Sequence, residues 1–120
     1  MKKKRALVVD DDSQILSITG RWLRRAGYDV ELANSFEDAR VAIELSAPDI
    51  VVSDIRLGEF NGIHVGILAR KARPDVRLIM ISGWDDPVLR HHASQLDASY
   101  IQKPLHAATF LSAVAADHAL

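Results

Sequence analysis

Three carboxylates stand in a row at Asp10, Asp11 and Asp12, directly after the short apolar run of residues 6–9. Neighbouring negative charges raise one another's pKa values, so a cluster of this kind is costly unless a cation balances it. Magnesium suits the position, because it takes oxygen ligands and is commonly held by a few carboxylates, a phosphate and several waters. The acidic run therefore predicts half of a magnesium site.

Three other polar side chains follow later apolar runs in the same manner, namely Asp54, Ser82 and Lys103. If the apolar runs are parallel strands of one sheet, these residues join the acidic run at the carboxyl edge of that sheet, where open α/β sheets place their functional sites. A metal flanked by a lysine and a hydroxyl is suited to holding a phosphoryl group, whose transfer depends mainly on positioning and charge stabilisation. We therefore interpret these positions as one candidate phosphoryl site.

The elements that must position these residues alternate along the chain. Apolar or alternating runs predict five strands, at residues 6–9, 28–33, 49–54, 76–82 and 99–102. Helices are predicted at residues 13–26, from Ser35 to about 45, from the loop of Gly58 and Gly62 to about 73, from Asp86 to about 96, and at 105–120. Strands separated by helices pair in parallel, with helices on both faces of the sheet. We therefore expect an α/β fold of the doubly wound class.

Residues at the predicted helix starts fit this reading. Ser35 with Asp38 resembles a capping box. Asp86 and Pro87 are a favourable N-cap and first helical residue. Asp12 stands where the first helix should begin, so an N-cap and a place in the metal site are both open for it.

Composition narrows the class of protein. The 120 residues suit about one domain, which we take as residues 1–120. The formal net charge of −1 gives no general attraction to nucleic acid or to an anionic membrane. The lack of cysteine excludes disulfides, thiol nucleophiles and thiolate metal sites. No apolar run approaches the roughly 20 residues of a membrane span, and the run after the basic start is too short for a signal peptide. We expect a soluble cytoplasmic protein.

The chain resembles the receiver domain of bacterial two-component response regulators, the CheY-like superfamily, over essentially its whole length. The matching pieces are VVDDD, PDIVVSDIRL, NG at residues 61–62, IMIS and YIQKP. Each piece is weak alone, but all five occur in this order and on the expected elements. The resemblance implies a flavodoxin-like fold, with a five-stranded parallel sheet in the order 2-1-3-4-5 and five helices on both faces.

The resemblance also implies roles for the site residues. Asp54 resembles the phosphoacceptor, which takes a phosphoryl group from the phosphohistidine of a histidine kinase or a histidine phosphotransfer protein. Asp10 and Asp11 resemble ligands of Mg²⁺, completed by Asp54 and the backbone carbonyl of Arg56. Lys103 would pair with the phosphoryl oxygens. Such a domain phosphorylates and dephosphorylates only itself, so we do not expect an enzyme in the ordinary sense.

Two residues resemble the conformational switch of the family. Ser82 would move toward the phosphoryl group, and Tyr100 would follow it inward. The new charge and acceptor oxygens would draw the hydroxyl in. The surface of the fourth helix, fifth strand and fifth helix would then change for a downstream protein or an output domain. The simpler alternatives are a turn serine and a half-buried core tyrosine.

The chain departs from the usual receiver pattern at several positions. Gly58 replaces a common proline, and residues 96–98 replace a Gly-Ala turn. Arg56 and Trp84 would border the phosphoryl group. We hypothesise that these two bulky side chains shield an aspartyl phosphate from water and lengthen its life.

Two other functions remain as alternatives. A Mg²⁺-dependent phosphohydrolase similar to the haloacid dehalogenases could use Asp10, Asp12, Ser82 and Lys103, but Asp10 would then be the nucleophile and Asp54 would have no purpose. A pseudo-receiver would act by protein contacts without phosphorylation, which the intact site residues disfavour. No output domain is visible, so direct binding of nucleic acid is not expected, and the oligomeric state stays open.

Two other groups of residues have simpler interpretations. His91 and His92 are adjacent and would point to different sides of a helix, which suits a solvated surface better than a metal pair. Trp22 and the arginines of residues 21–25 could form a partner surface. We favour a core position for Trp22 and solvated arginines near the helix end, where cations suit the helix dipole.

Overall fold

The computed structural model of this protein describes residues 3–57 and 60–116. Its strands are β1 Arg5–Val9, β2 Asp29–Ala33, β3 Ile50–Asp54, β4 Arg56–Leu57, β5 Phe60–Asn61, β6 Arg77–Ser82 and β7 Ser99–Gln102. Its helices are α1 Ser13–Arg25, α2 Phe36–Ser46, α3 Gly62–Ala72, α4 Pro87–Gln95 and α5 Ala107–Ala115. The predicted alternation of strands and helices is confirmed.

Five of the strands form one parallel sheet in the order β2-β1-β3-β6-β7. Counted along the chain without the short strands β4 and β5, this is the order 2-1-3-4-5, so the expected fold class is confirmed. The strand order reverses between β1 and β3, and doubly wound sheets place their sites at such a point. The register sets Val9 beside Ser53 and Asp54 beside Ile81, so the ends of β1, β3 and β6 are nearly level.

Alternate residues of each inner strand point to opposite faces of the sheet. On β1, Leu7 and Val9 belong to the core cluster that contains residues of α2 and α3. Ala6 and Val8 belong to the cluster that contains residues of α1 and α5. All five residues of β3 are buried, as expected for a strand covered on both faces. Helices therefore cover both faces, and the carboxyl edge of the sheet remains for polar residues.

The loop predicted after β3 is wrong in part, because β4 and β5 pair as a short antiparallel ribbon. Strands of two residues show no periodicity, so the pattern could not indicate them. Gly58, which departs from the usual receiver pattern, lies outside the described residues. At Gly62 the backbone is crowded, since a Cβ there would lie 2.1 Å from the backbone oxygen of Asp54. Glycine is thus required for α3 to begin this close to the end of β3.

Side-chain caps begin three of the helices. The carboxylate of Asp12 accepts a hydrogen bond of 2.8 Å from the amide of Gln14, so Asp12 is the N-cap of α1. The hydroxyl of Ser35 accepts from the amide of Asp38 at 3.1 Å. Asp86 accepts from two amides in the first turn of α4. These contacts confirm the predicted caps at Ser35 and Asp86 and assign Asp12 to capping.

The last helix begins later than predicted. α5 starts at Ala107 rather than near residue 105, because Leu105 packs against the core ahead of the helix and His106 is extended. The predicted continuation through residues 117–120 lies outside the described residues. The peptide bond between Lys103 and Pro104 is cis. Across residues 3–57 and 60–116, no helix combines the length and apolarity that a membrane span requires.

Residues 96–98 form a regular turn despite their departure from the family pattern. Asp97 adopts a left-handed φ of 56°, a conformation that aspartate tolerates better than most residues. The guanidinium of Arg70 donates to the carbonyl of Leu96. The amide of Ala98 donates to the carbonyl of Ala93 at 3.0 Å, which closes the end of α4.

The predictions for Trp22, for the arginines of α1 and for the two adjacent histidines agree with the structure. Trp22 packs against Phe110 with ring centroids 5.7 Å apart, so its predicted core position is confirmed. The arginines near the end of α1 and the two adjacent histidines of α4 are exposed, namely Arg21, Arg24, Arg25, His91 and His92. Their exposure agrees with the solvated interpretation of both groups.

Candidate functional site

Three carboxylates meet at the carboxyl edge of the sheet. Asp10 follows β1 and Asp54 ends β3, and these strands are neighbours with their ends aligned. One carboxylate oxygen each from Asp10, Asp11 and Asp54 lies within 4.8 Å of the others. Asp12, which caps α1, does not belong to this group of described residues. The predicted acidic cluster is therefore assembled, with Asp11 exposed and its two companions buried.

Asp10 is the most constrained of the three. Its side chain is 1% exposed, and Oδ1 accepts a hydrogen bond of 2.9 Å from the amide of Asp12. Oδ2 has no hydrogen-bond partner among the described residues. Burial is the main reason that the pKa of Asp10 is raised to about 6, with the negative charge of Asp54 adding to the effect.

Lys103 brings a positive charge to the same place from the loop after β7. Its Nζ donates to Oδ2 of Asp54 at 3.1 Å and lies 3.4 Å from Oδ2 of Asp10. Its backbone amide donates to the carbonyl of Ser82 at 2.7 Å, which ties this loop to the end of β6. Burial lowers the pKa of Lys103, but the hydrogen bond and charge of Asp54, together with Asp10, outweigh burial and raise that pKa overall.

The residues present fit a hard divalent cation. One ammonium faces three clustered carboxylates, and the buried Oδ2 of Asp10 accepts no hydrogen bond in the described part of the chain, with only the Lys103 ammonium near it at 3.4 Å. Carboxylate oxygens are the ligands that Mg²⁺ and Ca²⁺ prefer. The backbone of Arg56 also lies at the site, because its amide donates to Oδ1 of Asp54 at 3.0 Å. Asp10, Asp11, Asp54 and Arg56 are therefore the residues available to hold a cation.

Ser82 ends β6 and Tyr100 lies on β7, and the hydroxyls of both bond to the loop that follows β6. The buried hydroxyl of Ser82 donates to the carbonyl of Trp84 at 2.8 Å and accepts from the amide of Trp84 at 3.0 Å. The hydroxyl of Tyr100 donates to that same carbonyl at 2.8 Å. Both predicted switch residues thus converge on one peptide of the loop between β6 and α4.

Arg56 and Trp84 are neighbours in space, as two residues bordering one site should be. The guanidinium carbon of Arg56 lies 5.8 Å from the centroid of the Trp84 ring. Trp84 is 64% exposed, which is high for so large an apolar side chain. The pair forms a cation–π contact on the outer side of the site.

Sequence reasoning missed Arg90, which contacts the predicted switch residue Tyr100, and its ion-pair partner Asp85. The guanidinium carbon of Arg90, on α4, lies 4.4 Å from the centroid of the Tyr100 ring. Nη2 of Arg90 also lies 2.9 Å from Oδ1 of Asp85. The only sequence signal is an acidic and a basic residue placed across the start of a helix, and nothing in it indicates that the arginine reaches β7.

Comparison with known proteins agrees with this arrangement. Residues 6–115 match the family model of the response regulator receiver domain. This chain belongs to that family. The receiver domain is 32% identical over 112 residues to the acid tolerance regulatory protein ActR of Sinorhizobium medicae, covering 92% of this chain and 58% of the relative. It spans about 60% of the length of the curated relatives it matches first.

Solved structures show the same fold. A CheY-like response regulator receiver domain protein from Methanospirillum hungatei JF-1 superposes with a TM-score of 0.88 at 31% identity, covering 94% of this chain and 91% of that one. A response regulator protein from Burkholderia pseudomallei, solved with a phosphorylated aspartic acid, a calcium ion and citrate, gives 0.85 at 25% identity, covering 92% and 66%. The receiver domain therefore belongs to a family of phosphoacceptor modules of two-component signalling.

Proposed function

We propose that this receiver domain accepts a phosphoryl group on Asp54 and signals the change to another protein. The observation that carries the proposal is the charge around this carboxylate. Lys103 donates to Oδ2 of Asp54 at 3.1 Å. One carboxylate oxygen each from Asp10, Asp11 and Asp54 lies within 4.8 Å of the others. An ammonium and a bound cation near the same oxygen are what stabilise charge on a phosphoryl group in transfer.

We propose Mg²⁺ as the physiological cation, held by Asp10, Asp11, Asp54 and the backbone carbonyl of Arg56. When bound, the ion would supply neutralisation of charge on the phosphoryl oxygens. Its preference over Ca²⁺ is supported by the small number of protein ligands, since Mg²⁺ keeps several waters and commonly binds substrate phosphates as well. The raised pKa of Asp10 also supports this assignment, because a cation would favour the ionised form that burial disfavours.

In the proposed reaction, an oxygen of Asp54 attacks the phosphorus of a phosphohistidine. The new P–O bond forms while the P–N bond breaks, and the electron pair of that bond leaves with the imidazole. The amide of Arg56 fixes one oxygen of Asp54 and Lys103 fixes the other, so the carboxylate is held before the donor arrives. Hydrolysis of the acyl phosphate restores Asp54, and no further substrate is turned over.

The proposed partners follow from this chemistry. A histidine kinase or a histidine phosphotransfer protein donates the phosphoryl group in the cytoplasm. Ser82 leaves the loop peptide for the phosphoryl oxygens, Tyr100 adjusts with it, and the surface of α4, β7 and α5 changes for a downstream protein or an output domain. We propose residues 1–120 as one receiver domain.

The test is the intact mass of the protein after incubation with acetyl phosphate and magnesium. We expect a gain of one phosphoryl group, which a chelator abolishes. Asp54→Asn should show no gain. Asp75→Asn is the matched control, because Asp75 is exposed and precedes β6 at the opposite edge of the sheet; it should be phosphorylated as well as the wild type.

A wild type that gains no mass has two explanations, which beryllofluoride separates. Binding of this phosphoryl mimic with magnesium would indicate a site that accepts only a phosphohistidine donor. Failure to bind it would contradict the proposal and favour a pseudo-receiver.

A further inference from the structure

Arg90 joins three parts of the molecule around the predicted switch. It lies over the ring of Tyr100 on β7 at 4.4 Å and pairs with Asp85 of the loop between β6 and α4 at 2.9 Å. Tyr100 in turn donates its hydroxyl hydrogen to Trp84, the residue before Asp85, at 2.8 Å. These four residues form a closed ring of contacts, which we call the Arg90 clamp.

The contacts within the clamp differ in strength. The ion pair of Arg90 with Asp85 is exposed and contributes little by itself. Together with the ring contact, it places the guanidinium above Tyr100. A cation over a half-buried aromatic ring biases a conformational equilibrium by about fivefold. The clamp is therefore strong enough to select one position of the tyrosine ring and too weak to lock the fold.

The carbonyl of Trp84 connects the position of the Tyr100 ring to the hydrogen bonding of Ser82. A carbonyl oxygen has two lone pairs and accepts two donors, and here the donors are the hydroxyls of Ser82 and Tyr100. If Ser82 leaves, Tyr100 still satisfies the carbonyl. The carbonyl therefore loses one of its two donors without becoming unpaired, whereas the amide of Trp84, which donates to Ser82 at 3.0 Å, loses that acceptor.

We propose that Arg90 is a positioning residue of the switch. By stacking on Tyr100 it keeps the tyrosine hydroxyl on the carbonyl of Trp84 before any phosphoryl group is present. When that group arrives, Ser82 moves toward it and Tyr100 only adjusts in place, so the cost of ordering Tyr100 does not oppose binding. This inference rests on the proposed function, in which Ser82 moves toward phosphorylated Asp54.

The first test measures the affinity for beryllofluoride with magnesium, and it records the NMR signals of the Tyr100 ring before and after addition. Arg90→Ala should weaken the apparent affinity about fivefold. Without beryllofluoride, this variant should shift the Tyr100 ring signals toward those of an exposed tyrosine. Arg90→Lys should recover part of the loss, because lysine keeps the charge but not the planar stack. The matched control is Arg25→Ala, which removes an exposed arginine from α1 and should change neither readout.

A double-mutant cycle separates positioning from simple packing. If Arg90 acts through the tyrosine hydroxyl, Arg90→Ala should cost little in a chain that already carries Tyr100→Phe. An equal loss of affinity with and without Tyr100→Phe would overturn the proposal.

Two other results would also overturn it. One is a beryllofluoride affinity for Arg90→Ala equal to that of the wild type, and the other is a Tyr100 ring signal that the substitution leaves unchanged. A wild type that binds no beryllofluoride would contradict the proposed function instead. The Tyr100 signal recorded without beryllofluoride still tests the clamp in that case.

Discussion

Lys103 donates a hydrogen bond of 3.1 Å from its ammonium to Oδ2 of Asp54, across 49 positions of sequence. The same ammonium lies 3.4 Å from Oδ2 of Asp10. One positive charge thus lies close to two buried carboxylates. A single ammonium cannot neutralise the cluster of three carboxylates. The site is therefore electrostatically suited to a cation and, beyond it, to a phosphoryl group.

Removing the ammonium should affect cation binding and phosphorylation in opposite directions. Lys103→Met removes a positive charge beside the carboxylates, so we expect Mg²⁺ to bind several-fold more tightly. Phosphorylation by acetyl phosphate should fall by about tenfold or more, because a charge that stabilises the phosphoryl oxygens is lost. Titration with Mg²⁺ and intact mass measure the two effects. Lys71→Met, at an exposed position on α3, is the control; phosphorylation of Lys103→Met at the wild-type rate would contradict the assignment.

Asp10→Asn should stabilise the metal-free protein at neutral pH. The pKa of Asp10 is raised from 3.8 to about 6, so the folded state holds the proton more tightly than the unfolded state. The resulting stability is present below about pH 4 and is lost as the pH rises through about 6. Ionised Asp10 therefore costs up to about 3 kcal/mol at neutral pH, and asparagine removes that cost.

Urea unfolding in a chelator measures this effect near neutral pH and near pH 4. The gain from Asp10→Asn should be large in the first condition and close to zero in the second. Added Mg²⁺ should stabilise the wild type but not the variant, since a ligand that binds the native state raises its stability. An equal gain at both values of pH would show that burial of this charge is not the cause.

Gly62 and Gly83 form a matched pair for steric tests. A Cβ at Gly62 would meet the backbone oxygen of Asp54 at 2.1 Å, whereas a Cβ at Gly83 would meet nothing within 4 Å. We expect Gly62→Ala to cost about 2 kcal/mol or more, in the range of overpacked sites. Gly83→Ala should stay within about 0.5 kcal/mol of the wild type. Urea unfolding measures both, and equal stabilities would refute the crowding at the start of α3.

Trp84 tests the hypothesis that bulky residues shield the acyl phosphate. Trp84→Ala keeps the backbone groups that bind Ser82 and Tyr100 but removes the ring that contacts Arg56. The phosphorylated domain should lose its phosphoryl group several-fold faster, while Trp84→Phe should behave more like the wild type. The decay of the phosphorylated mass over time gives the rate. An unchanged rate for Trp84→Ala would end the shielding hypothesis for this residue.

Much of the fold could be predicted from the sequence because strong local signals agree with one another. The apolar run that became β3 is buried along its whole length, and Ser35 and Asp86 cap helices where the pattern expected them. The meeting of Asp10 and Asp54 followed from one rule, that neighbouring parallel strands end at the same edge. Strand ends are therefore reliable guides to a site.

Very short elements, and contacts that depend on side-chain orientation, could not be predicted from the sequence. The ribbon of β4 and β5 is too short for any period, and the late start of α5 depends on how Leu105 packs. The contact of Arg90 with Tyr100 joins two elements through one rotamer of a long side chain. No spacing in the sequence specifies such a contact.

The position of the phosphoryl group on the protein distinguishes Asp54 from Asp10 as the acceptor. The protein is treated with acetyl phosphate and magnesium and then reduced with borohydride, which converts an aspartyl phosphate to homoserine. Peptide mass spectrometry locates the converted residue. We predict homoserine at position 54 and aspartate at positions 10 and 11. Conversion at position 10 would contradict it and support the phosphohydrolase alternative, in which Asp10 is the nucleophile.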